Sequence, residues 1–521
     1  MPAPRGYDMT SRQIDQTNVE QPIGQLDERT WDVLVIGGGI VGAGVARDAA
    51  QRGFRTLLVE QADFASGTSS RSSRLLHGGM RYLAQGRIAL VHEASREKRV
   101  LGRIAPHLAQ PLAFIFPGRK GTPWPRWKLA IGAKVYDLLC GMRNYGRSHA
   151  LGRRKILALL PGLSEQNLTG GVRYFDALTN DARLVIDTIR SAARHGAAVF
   201  NYVRLLDASR NADAWSCELL DASTNRTQRV QARTVVNATG PWSDRLPHSK
   251  TSLRLTKGVH LVIDRDRLPV PDAVVMAEGH RILFAIPWGE RVILGTTDTD
   301  YDGPLENPSC DAGDAQYVLD VVNDSFPQAG LTPADIVSTW AGLRPLVADP
   351  HGKPSDISRR HEVAMNGPGW WDITGGKLTT YRLMAEEAVS EIAKHLGRAA
   401  IKCRTAELPL LETSELKTGS GILPPPVSAE LVKYYCQREW ARHLDDVMIR
   451  RTSWHYYHRD RLEIAAQVAD WMAGELNWEA PETHAELDRY REHVRFPMSV
   501  TGSAAPDDEK FRSSAPKQVI H

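Results

Sequence analysis

Between residues 31 and 60 the apolar positions fall into two short, unbroken runs. Val33-Leu34-Val35-Ile36 has no polar alternation, as expected of a strand buried on both faces, and Thr56-Leu57-Leu58-Val59 repeats the pattern. Between them, Gly37-Gly38-Gly39-Ile40-Val41-Gly42-Ala43-Gly44 opens a segment whose spacing predicts a helix through about residue 52. Helical periodicity returns at 88–104, at 181–195 with Leu184, Ile189 and Ala192 on the apolar side, and at about 380–396. Stretches 198–203, 214–220 and 229–236 read as strands, the last running into Asn237-Ala238-Thr239-Gly240. From about residue 250 the pattern changes to short alternating strands, at 258–263, 281–287 and 291–296. Alternation predicts an antiparallel sheet, distinct from the buried parallel strands near residue 33. Finally, Trp371-Asp372-Ile373-Thr374 leads into Gly375-Gly376-Lys377.

These elements predict an α/β chain built in pieces. Residues 31–85, 172–250 and 350–398 are expected to form one discontinuous unit around the parallel strands, with 86–171 and 251–349 forming a second unit over it. Residues 1–30 are polar and read as a flexible extension without a signal-peptide core. The Pro- and Ser-rich stretch 399–426 reads as a linker, 427–500 as a helical unit and 501–521 as a polar tail. The chain has 521 residues, 42% of them hydrophobic and 24% charged, ample for several cores. A net charge of +4 gives no argument for a nucleic-acid partner. Five cysteines without CxxC spacing read as unpaired thiols in a reducing compartment, and no metal-ligand pattern is seen. No stretch has the length and hydrophobicity of a transmembrane helix, so membrane contact is expected to be peripheral.

The Gly-rich junction carries the first chemical prediction. Gly37 suits a tight turn, Gly39 lets the backbone approach a pyrophosphate, and Gly42 permits close helix–strand packing. The helix N-terminus presents free N–H groups and a partial positive charge to that pyrophosphate. Glu60, ending the second strand, is placed to accept hydrogen bonds from a ribose diol. The motif predicts a dinucleotide and fits NAD as well as FAD.

Longer segments narrow the choice. VIGGGIVGAG, TSSRSSRLLHGGMRYL, DARLV, VVNATGPW, LTKGVH, IPW, GTTDTDYDG, AGLRPL and GGKLTTYR together resemble the FAD-dependent glycerol-3-phosphate dehydrogenase family, aerobic bacterial and mitochondrial type. The resemblance runs from about residue 31 to 396 and continues more weakly beyond. It implies a discontinuous Rossmann-like FAD domain, an antiparallel-sheet substrate domain and a helical C-terminal domain. It further implies noncovalent FAD and oxidation of sn-glycerol 3-phosphate to dihydroxyacetone phosphate. Electrons would pass to a membrane quinone, with peripheral association at the cytoplasmic face of the inner membrane. A homodimer is compatible with it.

On that basis a phosphomonoester handle needs guanidinium groups, for which Arg81, Arg344 and Arg359 are the candidates. Lys377 is expected beside the flavin ring or the substrate oxygen. His260 has a pKa suited to taking the hydroxyl proton, or serves as a structural histidine; Tyr82 donates to substrate or ring, or packs beneath the flavin. Ser69, Ser70 and Ser73 fit phosphate and ribitol contacts, and His77 and Gly78 belong to the same flavin-side segment. Gly240 closes a strand near the cofactor. Gly375 and Gly376 let the backbone approach the isoalloxazine, with Leu378 and Thr379 following. Asp298 reads as structural. Arg74 stands where the family commonly has lysine, in a segment that touches the cofactor, so its different reach is expected to change flavin tuning.

Residues 119–155 hold ten basic residues and one acid, with Trp124, Trp127 and Tyr136 interleaved. They fit an anionic lipid surface, a polar surface loop or a contact with the chain's own C-terminal unit. The basic, aromatic stretch 444–457 is expected to pack or assemble rather than catalyse. Alternative readings are an oxygen-dependent glycerol-3-phosphate oxidase, an FAD-dependent amine or hydroxy-acid oxidoreductase, and a noncatalytic FAD-binding interaction module.

Overall fold

The computed structural model describes residues 23, 26, 30–83, 86–141, 144–279, 281–347, 361–415 and 419–494. The unbroken apolar run forms the central strand Trp31–Ile36, buried along its whole length. It pairs in parallel with Thr56–Val59 on one side and Arg226–Asn237 on the other. Ala198–Phe200 extends the sheet beyond Thr56–Val59, and Trp370–Gly375 extends it beyond Arg226–Asn237, both in parallel. Five strands from distant parts of the chain therefore share one sheet, as the dispersed apolar runs require. Helix Ile40–Gln51 packs against helices Asp181–Arg194 and Tyr381–His395, burying a core that includes Val45, Ala49, Leu184, Ile189, Met384 and Ala388. The expected strand 198–203 is interrupted: Tyr202 has φ 57°, so the chain turns there and Val203–Arg210 begins a separate antiparallel hairpin.

The second sheet is ten-stranded and antiparallel except where Ala273–Glu278 meets Gln110–Arg119 in parallel. It contains the alternating strands Leu253–Asp264, Arg281–Trp288 and Arg291–Gly295. It also takes in Leu168–Leu178 and Leu75–Leu76, which reach into residues expected in the nucleotide unit. Helix Ala312–Ser325, opened by the capping box of Asp311 and Asp314, packs on this sheet. Within the stretch expected as a linker, residues 405–411 are strapped to the first unit. Arg47 donates to the Thr405 and Leu408 carbonyls at 3.1 and 2.7 Å, and Leu410 and Leu411 are buried.

Helices Ala429–Arg438, Arg461–Leu476 and Ala480–Val494 form the C-terminal unit around Val432, Met448, Trp454 and Val468. Its tie to the first unit is ionic. The buried Asp63 carboxylate accepts from Arg450 at 2.5 Å and from Arg451 at 2.6 and 2.8 Å. Arg183 meanwhile forks onto Glu439 at 2.6 and 2.9 Å. No helix among the described residues is long and apolar enough to cross a membrane.

Candidate active site

A cavity of about 790 Å³ runs from the end of strand Thr56–Val59 to the junction of the two sheets. At its first end stand Gly37, Gly39 and Glu60. Gly37 has φ 108°, and a Cβ there would lie 2.6 Å from the Ala238 carbonyl oxygen. At Gly42 a Cβ would overlap the Gly37 carbonyl oxygen, so this glycine does not line the cavity but lets the helix seat against the turn. Ser69 Oγ accepts from Ile40 N at 3.0 Å at the helix start. Burial pushes the Glu60 carboxyl up, while Ala62 N and Gly38 N, at 3.0 and 2.7 Å, oppose that shift.

The middle and far end are built by loops meeting strands of the second sheet. Gly240, Gly375 and Gly376 have φ of 59°, 71° and 84° and line the cavity. Their conformation leaves main chain rather than side chains facing it. Leu378, Thr379 and His77 follow along the same wall, with Thr379 Oγ1 accepting from His77 N at 3.1 Å. The Lys377 ammonium sits 4.0 Å from the centroid of the Tyr82 ring. Tyr82 itself is buried behind it and does not line the cavity.

On the second sheet, Thr256↔Arg344 and His260↔Trp340 are paired positions of adjacent strands. Arg344 donates to Asp298 at 3.0 Å, to Thr296 Oγ1 at 3.1 Å and to the Thr297 carbonyl at 3.2 Å. Its guanidinium lies across Gly258, where a Cβ would overlap it. His260 is buried, stacked on Trp340 with centroids 5.1 Å apart, and bonded through Nε2 to Ser73 Oγ at 2.8 Å. Burial, then the charges of Arg344 and Arg74, push its pKa down to about 3, leaving a neutral imidazole.

The cavity has the composition of a dinucleotide site whose other end is cationic. The model of the FAD dependent oxidoreductase family matches residues 32–382, and that of the C-terminal domain of alpha-glycerophosphate oxidase matches 381–483. The aerobic glycerol-3-phosphate dehydrogenase of Staphylococcus aureus (strain USA300) is 34% identical, covering 89% of this chain and 93% of its own length. The chain belongs to the FAD-dependent glycerol-3-phosphate dehydrogenase family. Among solved structures, that of the glycerol-3-phosphate dehydrogenase from Bacillus halodurans complexed with FAD superposes with a TM-score of 0.74. It has 29% identity and covers 93% of this chain and 98% of its own. The FAD-bound L-alpha-glycerophosphate oxidase from Mycoplasma pneumoniae shares the fold at TM-score 0.56 and 17% identity, covering 70% of this chain and 95% of its own.

Membership makes this chain an FAD-binding flavoprotein that oxidises its substrate with reduction of the flavin. The residues present fit that cofactor. A Cβ-free turn faces a helix N-terminus, the Glu60 carboxylate stands at one end of the cavity, and main-chain walls at Gly375 and Gly376 line the other. The chemistry that bound FAD supplies is acceptance of a hydride at N5.

The structure brings Gly37, Gly39, Glu60, Ser69, Ser73, His77, Gly240, His260, Arg344, Gly375, Gly376, Lys377, Leu378 and Thr379 to this single cavity. Ser70 is buried outside it. Gly78 is also outside; its N–H donates to Tyr136 Oη at 2.9 Å, and Tyr136 in turn bonds Asp176 at 2.5 Å. Arg81 follows in the turn Met80–Tyr82; its side chain, like the whole of Arg359, lies outside the described residues. Arg74 corrects an expectation. Its guanidinium does not reach the cavity but lies 4.4 Å from the Trp288 centroid and 5.3 Å from that of Trp340, and donates to Ser453 Oγ at 3.0 Å. A planar cation suits that aromatic box better than an ammonium, which explains arginine there without invoking the flavin.

Sequence reasoning missed Arg71, Gly258, Asp445, Arg450 and Arg489. Gly258 and Arg71 stood inside quoted motifs, but nothing local marks a glycine as the rest for a distant guanidinium. The last three belong to a unit read only as packing, and chain position gives no hint that they face the cavity.

Proposed function

We propose that this flavoprotein oxidises sn-glycerol 3-phosphate to dihydroxyacetone phosphate and passes the two electrons to a membrane quinone. The observation that carries the reading is Arg344. Its guanidinium is fixed by Asp298, Thr296 and Thr297 in the same cavity as Lys377, a cationic end suited to a phosphate ester. Arg81 and Arg359 are proposed as further phosphate contacts. Substrate C2–H leaves as hydride, and the hydroxyl proton goes to His260 Nε2, directly or through the Ser73 hydroxyl, which takes it while passing its own proton to Nε2. A phosphate dianion beside Arg344 offsets one of the charges that depress His260, raising its proton affinity when substrate is bound. Lys377 stabilises negative charge developing on the substrate oxygen. Rapid anaerobic mixing with sn-glycerol 3-phosphate should bleach the flavin, and unphosphorylated glycerol should not. Equal bleaching by both, or by neither, would sink the proposal.

Membrane association is proposed through helix Arg126–Leu139. Trp127, Ile131, Val135 and Leu138 project from it at 62%, 58%, 36% and 66% exposure, with Arg126, Lys128 and Lys134 exposed beside them. An apolar row flanked by cations fits an anionic bilayer surface. Trp127→Asp with Leu138→Asp should abolish sedimentation with phosphatidylglycerol vesicles while sparing flavin reduction in solution; unchanged sedimentation would move docking elsewhere. The match of residues 381–483 to a domain described from an oxidase favours oxygen as the competing acceptor. Mixing the reduced protein with quinone and with oxygen separates the two.

A further inference from the structure

The C-terminal unit reaches into the cofactor cavity. Asp445, Arg450 and Arg489 line it, together with Glu60, Gln61, Ala62 and Asp63. Arg450 is tied to Asp63 at 2.5 Å and to Asp445 at 2.6 Å, while Arg489 bonds Glu486 at 2.7 Å and pairs with Asp445 at 2.5 Å. Tyr202, also at the cavity wall, donates to Asp446 at 2.6 Å. In a βαβ nucleotide fold, the acid ending the second strand marks the ribose of the adenosine half. Here that acid is Glu60, three residues before Asp63, so the C-terminal residues stand at the adenosine end.

A second observation points to an anion between the two units. Arg71 lines the same cavity, and among the described residues its guanidinium has no hydrogen bond or ion pair. The charged groups that act on it are Arg450 and Asp445 of the C-terminal unit, with the phenols of Tyr456 and Tyr301. Burial pushes its pKa down, and Arg450 adds to that. Asp63 and Asp445 are bonded to Arg450, and Asp445 also to Arg489, so among the described residues the cavity-facing Arg71 guanidinium keeps no bonded carboxylate of its own, and a diphosphate would supply that partner.

We propose that the C-terminal unit is a clamp on the adenosine diphosphate half of FAD. Arg71 is the counter-charge to the diphosphate, and Asp445 and Arg489 close the adenosine end. Because cofactor and clamp contact each other, each stabilises the other: FAD holds the C-terminal unit docked, and docking slows loss of FAD. The clamp concerns cofactor retention, so it stands or falls independently of the substrate and the electron acceptor.

Hydrogen exchange tests it on the full-length protein in four states: with FAD, stripped of flavin, and stripped then given FMN or ADP. Peptides from Ala429–Val494 should exchange about tenfold faster or more after stripping, equivalent to about 1.4 kcal/mol of lost coupling. FAD and ADP should restore slow exchange and FMN, which lacks adenosine, should not. Peptides from Ala312–Ser325 in the other unit should be unaffected. Equal exchange in stripped and loaded protein, equal rescue by FMN and ADP, or loosening spread equally to Ala312–Ser325 would each overturn the clamp. A second arm measures flavin affinity by fluorescence. Arg489→Met should lower the preference for FAD over FMN about tenfold, and an unchanged ratio would overturn the role of Arg489.

Discussion

Arg344 shows how much of a functional group's placement is decided by residues with no chemistry of their own. Gly258 offers no side chain, so the guanidinium can lie across the neighbouring strand, where Asp298 and two threonines hold it. Gly258→Ala should therefore displace Arg344, raising KM for the phosphate ester about ten- to hundredfold, while FAD content stays unchanged. Steady-state kinetics beside the flavin spectrum checks both halves. Lys377→Ala should slow anaerobic flavin reduction by about 10²–10³ without changing the fold, and a stopped-flow trace matching the parent would remove Lys377 from the chemistry. His260 gives a spectroscopic prediction. Held down to about 3 by burial and by Arg344 and Arg74, its imidazole stays neutral in the substrate-free protein. Its carbon shifts, assigned with His260→Gln, should be flat between pH 5 and 8, and a midpoint near the ordinary histidine value would mean the ring is solvated.

At the scale of elements, the most legible parts were those with one simple period. The buried strand Trp31–Ile36, the helix Ile88–Ile104 and the helix Asp181–Arg194 emerged where periodicity placed them. Helix Arg126–Leu139 was less legible because it is apolar on both faces. Leu129, Ala133 and Tyr136 face the core while Trp127, Ile131 and Leu138 face outward, which blurs the amphipathic contrast. Strand Leu168–Leu178 gave no clear signal, because Gly170 and Gly171 interrupt its apolar pattern. Their need is tertiary: a Cβ on either would overlap the carbonyl oxygen of a flanking strand, at Leu151 or Phe116. The helix seat at the cofactor turn follows the same rule. Gly42→Ala would drive a methyl into the Gly37 carbonyl, and the helix must back away from the strand. Thermal unfolding should report a loss of about 1–3 kcal/mol with weakened FAD retention; full retention would mean the turn adapts.

At the scale of the whole molecule, stability depends on buried charge shared between units. Asp63→Asn would leave Arg450 and Arg451 short of a buried counter-charge, costing about 3–5 kcal/mol in a denaturation experiment. Acid should act through the same contacts. Burial alone would raise the Asp187 and Glu486 carboxyls. Arg183, with His107 and Arg190, outweighs burial at Asp187, and His443 and Arg489 outweigh it at Glu486, holding both down to about 2. Their stabilisation is complete above the unfolded values of 3.8 and 4.5, and is lost as pH falls toward 2. His260, neutral when folded, adds a loss that begins below its unfolded value of 6.5. Melting temperature should thus decline gently from pH 6.5 and steeply below 4.5; a flat profile to pH 3 would contradict these contacts. The Asp63 hub has one more consequence, for the order in which the chain is made. Its carboxylate precedes its Arg450 partner by 387 residues. At a ribosomal rate of about 5–20 residues per second, that carboxylate waits roughly 20–80 s for its first cation. During synthesis the nascent chain must keep its first strands from pairing elsewhere until Arg450 has been made.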